Sequence, residues 1–339
     1  MRCALITGVT GQDGAYLADF LIAKGYKVYG TYRRTSTPNF WRLDRLGIAD
    51  KVELVPFDLL DQTSIIQALQ IAKPDEFYNL AAQSYVGASF EQAVSTGEIT
   101  GLGLTRVLES IRVVNPEIRF YQASSSEMFG NSKDSPQTLK TPFHPTSPYG
   151  AAKLYAHEVT RTFREAYGMF ACAGILFNHE SPLRSLEFVT RKISYTMSAI
   201  KLGFTDHVTL GNVHARRDWG YAKDYVEGMW LMLQREKPKD YILATGKTHS
   251  VEDFLRAASD ALGLDYQACL RVDSNLFRPM DIDSLVGDPS EAEKDLGWSP
   301  QKTTFSNLVQ FMVEADMRLL KTEKWINLER VKLLSQLTV

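Results

Sequence analysis

The sequence predicts an α/β protein with a doubly wound parallel sheet and a smaller mixed α/β lobe, and three observations lead to this fold class. Short β-rich runs alternate with amphipathic helical stretches through the first half of the chain. A glycine-rich turn joins the first of these runs to the first helical stretch. Beyond residue 178 the alternation loosens into scattered helices and short strands. We expect that second part to form a lobe over the carboxyl edge of the sheet.

The elements of the sheet follow from local composition. Strands are predicted where β-branched and aromatic residues are concentrated, at 3–7, 27–32, 52–57, 76–81, 118–123 and 169–177. Helices are predicted between them where apolar residues recur at helical spacing, at 14–25, 62–73 and 100–113. Strands that alternate with helices in this way form βαβ units, in which the strands are parallel and helices cover both faces.

Composition excludes several classes of protein. The net charge of −2 gives no indication of a nucleic-acid or membrane partner, and the longest apolar run is too short to span a bilayer. The three cysteines are far apart and odd in number, which is typical of a reducing compartment, so a cytoplasmic location is expected. No histidine pair stands at ligand spacing near a cysteine or carboxylate cluster, so no metal site is predicted.

The glycine-rich turn has the pattern G-x-x-G-x-x-G between a strand and a helix. That context supplies a tight turn, a bare backbone next to a pyrophosphate and a helix N-terminus whose N–H groups face the phosphate. The sequence therefore predicts a Rossmann-type dinucleotide site. The residues of the motif that we expect at the cofactor are Gly8, Thr10, Gly11, Gln12, Asp13 and Gly14.

The residues after the second strand indicate which dinucleotide binds. NAD sites usually place a carboxylate there, whereas this chain has Arg33 and Arg34, which suit the 2′-phosphate of NADP. A solvated basic turn is the alternative. Asp58, followed by Leu59, is expected to accept a hydrogen bond from the adenine amine. Small residues after the fourth strand are expected to pass close to the cofactor, in the stretch Leu80, Ala81, Ala82, Gln83 and Ser84.

The stretch "SPYGAAKLYAHE" supplies Tyr149 and Lys153 with the spacing Y-x-x-x-K. Residues four apart share a helix face, so the ammonium is expected beside the phenol. A neighbouring positive charge favours phenolate, which predicts a lowered pKa for Tyr149. Lys153 is also expected to reach the ribose of the nicotinamide. These two residues are predicted to contact the cofactor and to act in catalysis.

The stretch "YQASSSEMFG" places three hydroxyls and one carboxylate at the end of a predicted strand. Taken alone, such a stretch is typical of a turn with a solvated glutamate. The function of Ser125, Ser126 and Glu127 therefore depends on the rest of the chain.

The chain resembles the extended short-chain dehydrogenases/reductases and, within them, the family of GDP-mannose 4,6-dehydratases. The resemblance covers nearly the whole chain and is carried by the stretches "TGVTGQDGAYLADFL", "YNLAAQSYVGASFE", "YQASSSEMFG", "SPYGAAKLYAHE", "GILFNHESPLRSLEFVTRKI", "LGNVHARRDWGYAKDYVEGMW" and "FRPMDIDSLVGDPSEAEKDLGW". It implies an NADP-binding domain at 1–177 that also carries the catalytic residues. It also implies a lobe at 178–339 that mainly binds the nucleotide sugar, with some segments returning to the first domain.

The resemblance also implies roles for single residues. Four of them would contact the GDP part of the substrate, namely Asn178, Lys192, Arg217 and Arg278, and two would lie at the cofactor, namely His179 and Arg184. Two arginines and a lysine suit a diphosphate. Glu127 would be the acid/base that removes the C5 proton and helps to expel the C6 hydroxyl, with Ser125 and Ser126 beside it.

The activity implied is NADP-dependent conversion of GDP-D-mannose to GDP-4-keto-6-deoxy-D-mannose, by C4 oxidation, elimination of water across C5 and C6, and hydride return to C6. The alternatives are an NADP-linked nucleotide-sugar epimerase or 4-keto reductase, a GDP-manno-heptose 4,6-dehydratase, and a redox-sensing binding protein without catalysis. The chain departs from the usual family pattern at Ser95, Ser125, His144 and Thr146, which leaves the size of the group accepted at C6 open.

Relatives of this type are dimers or tetramers. The arginine-containing loop at 33–45 is longer than one phosphate contact requires. We expect it to cross to a neighbouring subunit, close to that subunit's cofactor, in a homotetramer. A flexible surface loop is the alternative.

Overall fold

The computed structural model describes residues 1–37, 39–277, 280–300 and 302–322. The strands of these residues are β1 (Cys3–Thr7), β2 (Lys27–Tyr32), β3 (Val52–Pro56), β4 (Glu76–Asn79), β5 (Arg119–Ser125), β6 (Ala171–Leu176), β7 (Asn178–Glu180), β8 (Val208–Leu210), β9 (Arg216–Arg217), β10 (Trp219–Tyr221), β11 (Tyr241–Leu243), β12 (His249–Ser250), β13 (Leu270–Val272) and β14 (Ser284–Leu285).

The α-helices are α1 (Gln12–Ala23), α2 (Trp41–Leu46), α3 (Gln62–Ala72), α4 (Val86–Glu91), α5 (Ala93–Thr96), α6 (Gly103–Val114), α7 (Pro148–Tyr167), α8 (Val189–Lys201), α9 (Ala222–Leu233), α10 (Val251–Leu262), α11 (Tyr266–Cys269), α12 (Ser290–Leu296) and α13 (Phe305–Thr322). A π-helical turn (Gly97–Leu102) precedes α6, and a 3₁₀ turn (Ser126–Met128) follows β5 directly. A second 3₁₀ turn covers Ser274–Leu276. None of the helices within the described ranges has both the length and the apolar character that a bilayer span requires.

Seven parallel strands form the central sheet in the order β3-β2-β1-β4-β5-β6-β11. The chain winds outward from β1 in one direction through β2 and β3, and then returns to the other side of β1 with β4. The carboxyl ends of β1 and β4 therefore lie side by side at a topological switch point, where such sheets bind their ligands. The predicted doubly wound α/β fold is confirmed.

Helices cover both faces of this sheet, as the almost fully buried strands β4, β5 and β6 require. Leu17 of α1 and Met229 of α9 belong to the core on one face. Leu69 of α3, Leu108 of α6 and Phe163 of α7 belong to the core on the other. These two cores hold the ends of the strands in fixed positions, and the cleft described below lies at their carboxyl ends.

The smaller lobe has its own core, in which α8, α10 and α13 pack together through residues such as Ile193, Phe254 and Met312. Two segments beyond residue 177 belong instead to the central sheet, since β11 pairs with β6 and α9 packs against α1. The predicted domain boundary at 177 stays a prediction.

Most of the predicted strands and helices have different bounds in the structure, including β3, β4 and β5. β4 ends at Asn79 rather than at 81, because the N–H groups of Leu80 and Ala81 both donate to the side-chain hydroxyl of Thr7 instead of to a backbone oxygen of a neighbouring strand. β5 continues two residues further than predicted, since Ser125 still pairs with Leu176 of β6. β3 ends one residue early, at Pro56.

The predicted loop at 33–45 is wrong in its last part. Helix α2 begins at Trp41 and is followed by Gly47, which adopts a left-handed conformation with φ 66° that favours glycine. The stretch "WRLDRL" buries Leu43 against the sheet core, and this tertiary contact stabilises a helix that is too short to be stable alone.

Candidate active site

A cleft of about 570 Å³ lies at the carboxyl edge of the sheet, between the sheet and the smaller lobe. It brings together predicted residues that are distant in sequence, namely Asp13, Leu80, Ala82, Ser84, Ser125, Ser126, Glu127, Tyr149, Lys153, Asn178, His179, Arg184, Lys192 and Arg217. The predicted catalytic and substrate-binding residues that the structure describes thus share one cavity. Arg278 lies outside the described residues.

The glycine-rich turn at the end of β1 is as tight as the motif predicts. Gly8 has φ 68°, in the left-handed region that favours glycine. A Cβ atom there would lie 3.2 Å from the backbone of Ala81, which is a tight contact. A Cβ atom on Gly14 would lie 2.3 Å from the carbonyl oxygen of Gly8, so the turn and α1 pack with no room for a side chain. Gly11 precedes α1 without a side-chain cap, which leaves the first N–H groups of the helix for a ligand. This is a cradle that fits a pyrophosphate.

Gln12 and Asp13, at the start of α1, connect the turn to β7. The Gln12 amide donates to the backbone oxygen of His179 at 3.0 Å and accepts from the Ser181 hydroxyl at 2.7 Å. His179 Nε2 lies 2.8 Å from the Asp13 carboxylate, and Nδ1 lies 2.7 Å from the backbone oxygen of Phe177. Both ring nitrogens therefore face acceptors, which requires a proton on each and makes His179 a cation.

The pKa values of this pair shift in opposite directions. Burial raises the pKa of Asp13, but the charge and hydrogen bond of His179 outweigh it and lower that pKa to about 2. Burial lowers the pKa of His179, and the Asp13 carboxylate outweighs it, so the pKa of His179 is raised. The predicted cofactor end of the cleft thus contains a fixed ion pair.

Tyr149 and Lys153 lie on one face of α7, which Ser147 caps by accepting a 3.0 Å bond from the N–H of Gly150. Lys153 Nζ donates to the backbone oxygen of Ala123 at 2.7 Å and lies 5.7 Å from the centroid of the Tyr149 ring. The predicted lowering of the phenol pKa is wrong for this arrangement. Burial is the largest effect and raises the pKa of Tyr149 to about 12, against a hydrogen bond with Ser125 that lowers it.

Burial acts on Lys153 as well. It lowers the pKa of the ammonium to about 8, and only the more distant Asp13 opposes it. The charge of Lys153 is therefore present at neutral pH and is held by a backbone carbonyl rather than by a carboxylate.

Helix α7 is attached to the end of β5 by three side chains spaced four residues apart. Tyr149 hydrogen-bonds Ser125, Lys153 bonds the carbonyl of Ala123, and His157 Nδ1 lies 3.0 Å from the Ser124 hydroxyl. Sequence reasoning missed His157, although its spacing from Lys153 was the available signal. All three serines line the cleft, and Ser124, the first of them, bonds α7 through His157.

Glu127 lies in the 3₁₀ turn and is 8% exposed, which differs from a solvated glutamate at a surface turn. Its N–H donates to the Ser125 hydroxyl at 3.2 Å, so the strand end and the turn are held together. A Cβ atom on Gly150 would lie 2.7 Å from the Glu127 carbonyl oxygen, so the start of α7 packs directly against the backbone of the 3₁₀ turn. Glu127 and Tyr149 thus line the same cleft from two adjoining elements.

The substrate side of the cleft contains two predicted cations. Arg217 is 8% exposed and donates to the backbone oxygens of Arg216 and Ile282, at 2.9 and 2.8 Å. Burial lowers the pKa of Lys192. Two aromatic residues that sequence reasoning missed, Tyr85 and Phe188, pack edge to face at 6.0 Å across the cleft wall.

Other predicted cofactor residues lie outside the lining of this cleft. Arg33 and Arg34 are exposed beyond the end of β2. Asp58 follows β3 and accepts from the N–H of Leu60 at 3.0 Å, with Leu59 buried beside it. The Gln83 N–H donates to the Thr100 hydroxyl at 3.2 Å. Among the described residues, no group of three or more His, Cys, Asp or Glu side chains could hold a metal ion.

Comparison with known proteins identifies the family. The family model described as GDP-mannose 4,6 dehydratase matches residues 5–312. The chain belongs to the GDP-mannose 4,6-dehydratase family. It is 48% identical to GDP-mannose 4,6 dehydratase 1 of Arabidopsis thaliana over 333 residues, which cover 95% of this chain and 92% of the relative. It is 45% identical to the GDP-mannose 4,6 dehydratase of Homo sapiens, over 94% of this chain and 92% of the relative.

The fold is shared with enzymes outside the GDP-mannose 4,6-dehydratase family. The dTDP-glucose 4,6-dehydratase DesIV of Streptomyces venezuelae, solved with NAD bound, superimposes with a TM-score of 0.84 at 21% identity. The superposition covers 97% of this chain and all of that one. At this identity the likeness supports the fold alone, whereas the family match confirms the predicted enzyme class.

Proposed function

We propose that the chain is an NADP-dependent GDP-mannose 4,6-dehydratase, which removes one water from GDP-D-mannose and yields GDP-4-keto-6-deoxy-D-mannose. One observation carries the proposal. In a member of this family, the buried Glu127 at the end of β5 lines the same cleft as Tyr149. A simple epimerization needs no second acid/base, whereas elimination across C5 and C6 does.

The cofactor is a nicotinamide dinucleotide. The turn supports this, because Gly8, Gly11 and Gly14 leave backbone N–H groups and the N-terminus of α1 to a pyrophosphate. NADP is the form that we propose, because Arg33 and Arg34 follow β2 where an NAD site usually has a carboxylate. Both side chains are exposed and extend from the same edge of the sheet as the turn, since β1 and β2 are parallel neighbours.

The remaining cofactor contacts surround the turn. Thr10, Gln12 and Asp13 belong to it, and Asp58 and Leu59 would receive the adenine. The other proposed contacts are Leu80, Ala81, Ala82, Gln83, Ser84, Tyr149, Lys153, His179 and Arg184. When bound, the dinucleotide supplies reversible hydride acceptance, which oxidises the sugar at C4 and later reduces it at C6.

Oxidation at C4 requires removal of the proton on O4. We assign this proton to Tyr149, whose hydroxyl already bonds the Ser125 side chain. Burial favours the neutral phenol, while Ser125 and the charge of Arg184 act in the opposite direction. We propose that Ser125 donates a hydrogen bond to O4 as it becomes a carbonyl oxygen, which would stabilise the developing charge. Lys153 Nζ, which carries a positive charge at neutral pH, lies 5.7 Å from the centroid of the Tyr149 ring.

Elimination then uses Ser126 and Glu127, which lie in the 3₁₀ turn that follows β5. The ketone at C4 acidifies the C5 hydrogen, and Glu127 takes that proton. The C6 hydroxyl leaves as water with a proton from Glu127 or from a neighbouring serine hydroxyl, and Ser126 positions this leaving group. Two protons are removed, from O4 and C5, and two are returned, to the leaving water and to C5, so the net change is the loss of one water.

The GDP part of the substrate is proposed to lie in the smaller lobe. Lys192 and Arg217 are cations in the cleft that suit a diphosphate, and Asn178 adjoins them as a polar contact. Arg278, the fourth residue proposed for this role, lies outside the described residues.

For the assembly we propose a homotetramer, or a dimer, in which the 33–45 stretch contacts a neighbouring subunit. The final part of this stretch is helical, because it belongs to α2.

The decisive experiment incubates the purified protein with GDP-mannose and NADP⁺ and follows the mass of the product. Loss of one water is expected. An unchanged mass with altered chromatographic mobility would indicate an epimerase, and no turnover would contradict enzyme activity on this substrate. A parallel incubation with a GDP-manno-heptose compares the two sugars.

A further inference from the structure

His157 on α7 contacts the chain on both sides of the turn that contains Glu127. Its Nδ1 atom lies 3.0 Å from the hydroxyl oxygen of Ser124, which precedes the turn in β5. Its ring packs edge to face on Phe143, with 5.4 Å between the ring centroids. Phe143 packs in turn on Phe129 at 5.1 Å, and Phe129 follows the turn directly. One side chain of α7 thus reaches the residue before the turn directly and the residue after it through one ring.

The contact between His157 and Ser124 is shielded from solvent, since the two residues are 6% and 2% exposed. Burial is the largest effect on the imidazole and lowers the pKa of His157. The charged groups around it are two carboxylates that oppose this shift, Asp240 and Glu158, and two arginines that add to it, Arg164 and Arg161. The imidazole is therefore neutral at pH 7. It has one donor and one acceptor nitrogen, which suits a hydroxyl that both donates and accepts.

A buried hydrogen bond of this kind fixes geometry more than it adds stability. The net gain on folding is small, because both groups are hydrogen-bonded to water in the unfolded chain. An apolar pair would fill the same space without fixing the direction between α7 and β5. Tyr149 and Lys153 attach the same helix face to the end of β5, and His157 lies about two turns beyond Tyr149. The helix is thus held at three successive positions rather than at its first turn alone.

The chain after the turn is held as closely as the chain before it. The N–H of His144 donates to the carbonyl oxygen of Met128 at 2.9 Å. A Cβ atom on Gly130 would lie 1.8 Å from the carbonyl oxygen of His144, so the two segments are in direct backbone contact. Phe143 is therefore fixed against the turn, and its ring is the group that His157 touches. Removal of the His157 side chain would release contacts on both sides of the turn at once.

We propose that His157 is a positioning residue that holds Glu127 and Tyr149 in the relative placement that the elimination step requires. It acts through Ser124 on one side of the turn and through Phe143 on the other. It lies behind the wall of the cleft, since Ser124 lines the cleft and His157 is not among the described residues that do so. The inference rests on the proposed function, which assigns the C5 proton to Glu127.

The test compares two substitutions of His157 that each keep one of its contacts. His157→Phe keeps a ring against Phe143 and removes the bond to Ser124, whereas His157→Asn keeps a polar group near the position of Nδ1 and removes the ring. Steady-state rates with GDP-mannose and NADP⁺ give kcat and KM, and stopped-flow absorbance gives the amount of reduced dinucleotide. His207→Phe makes the same substitution outside the lining of the cleft and should behave as the wild type.

In His157→Phe we expect kcat for dehydration to fall about tenfold and KM to change less than about twofold, because a displaced acid/base slows chemistry without removing a substrate contact. Reduced dinucleotide should accumulate, since Tyr149 keeps its bond with Ser125 and oxidation at C4 continues. His157→Asn should lose less, on the order of threefold. Ser124→Ala should match His157→Phe, and the double variant should lose no more than either single one, because both remove the same bond.

A lower stability of His157→Phe with wild-type kcat would make His157 a purely structural residue and overturn the proposal. A raised KM at constant kcat would overturn it too, as would losses that multiply in the double variant. If His157→Phe does not fold, the kcat and KM of Ser124→Ala and His157→Asn decide by the same criteria. A wild type that forms no dehydrated product would instead contradict the proposed function, and this inference with it.

Discussion

The Nε2 atom of His179 lies 2.8 Å from the Asp13 carboxylate, and this ion pair joins strand β7 to the first turn of helix α1. The Asp13 carboxylate lies at the N-terminus of α1, where we propose that the pyrophosphate of the cofactor binds. An unpaired carboxylate there would repel the pyrophosphate. The cation beside it neutralises that charge. The pair also contributes to stability in a way that depends on pH.

His179→Phe keeps an aromatic ring against Tyr225, on which His179 stacks at 4.7 Å, but removes the cation. We expect the free energy of unfolding to fall by about 3 kcal/mol, because a largely buried carboxylate loses its partner. The raised pKa of His179 means that its contribution is complete below its unfolded value of 6.5 and is lost as pH rises through the folded value. The lowered pKa of Asp13 means that its contribution is complete above 3.8 and is lost as pH falls toward about 2.

Urea denaturation of the wild type and of His179→Phe at a series of pH values measures the difference in their free energies of unfolding. The wild-type advantage should be greatest between pH 3.8 and 6.5 and should decrease in alkaline solution. His207→Phe is the control, because its partner Asp206 is 81% exposed and the loss should be small. An advantage that does not vary with pH would contradict the ion pair.

Tyr149→Phe should block the first chemical step. Without the hydroxyl no group takes the proton from O4, so we expect a loss of about 10²–10⁴-fold in dehydration rate. Stopped-flow mixing with GDP-mannose and NADP⁺ should show no absorbance of reduced dinucleotide. Tyr155→Phe, on the same helix and 43% exposed, should behave as the wild type. Rapid reduction of the dinucleotide in Tyr149→Phe would assign the O4 proton to another residue.

Glu127→Gln should fail at a later step. Oxidation at C4 remains available, but the C5 proton has no acceptor, so reduced dinucleotide should accumulate without dehydrated product. The loss in product formation should again be about 10²–10⁴-fold. Glu117→Gln removes an exposed carboxylate before the same strand and serves as the control. Near-normal dehydration by Glu127→Gln would show that the proton transfer belongs elsewhere in the cleft.

Arg34→Ala should reduce the preference for NADP over NAD. A guanidinium that bonds a dianionic phosphate contributes through charge-assisted hydrogen bonds, so NADP⁺ affinity should fall by about tenfold while NAD⁺ affinity stays the same. Fluorescence titration with both dinucleotides gives the ratio, with Arg256→Ala, an exposed arginine on α10, as control. Equal affinity of the wild type for the two forms would remove the basis for NADP.

Light scattering at micromolar concentration should give the mass of a homotetramer, or of a dimer. The expectation rests on the 33–45 stretch, which extends beyond β2 and exposes Trp41 to 40%. A monomer under these conditions would contradict the proposed contact between subunits.

Much of the fold was predictable because its signals are local. The strands β1 and β2 have the predicted bounds, since each is a short apolar run between turn residues. Helix α2 was not predicted, because its stability comes from burying Leu43 in the sheet core rather than from its six residues alone. The extension of β5 to Ser125 depends equally on a neighbour, since β6 supplies the pairing.

For the site, the sequence by itself determined which chemical groups are present: the glycine turn, the Tyr149–Lys153 spacing and the carboxylate of Glu127. Each is a local pattern, and local patterns depend on residues a few positions apart. Only the tertiary structure decided how these groups behave. The pKa of Tyr149 is raised chiefly because the surrounding structure buries the phenol. Lys153 donates to the carbonyl of Ala123, which only the folded chain brings near it. Asp13 and His179 pair across 166 residues of sequence. Burial and long-range pairing arise only when the sheet and the smaller lobe meet, so no short stretch of the chain encodes them.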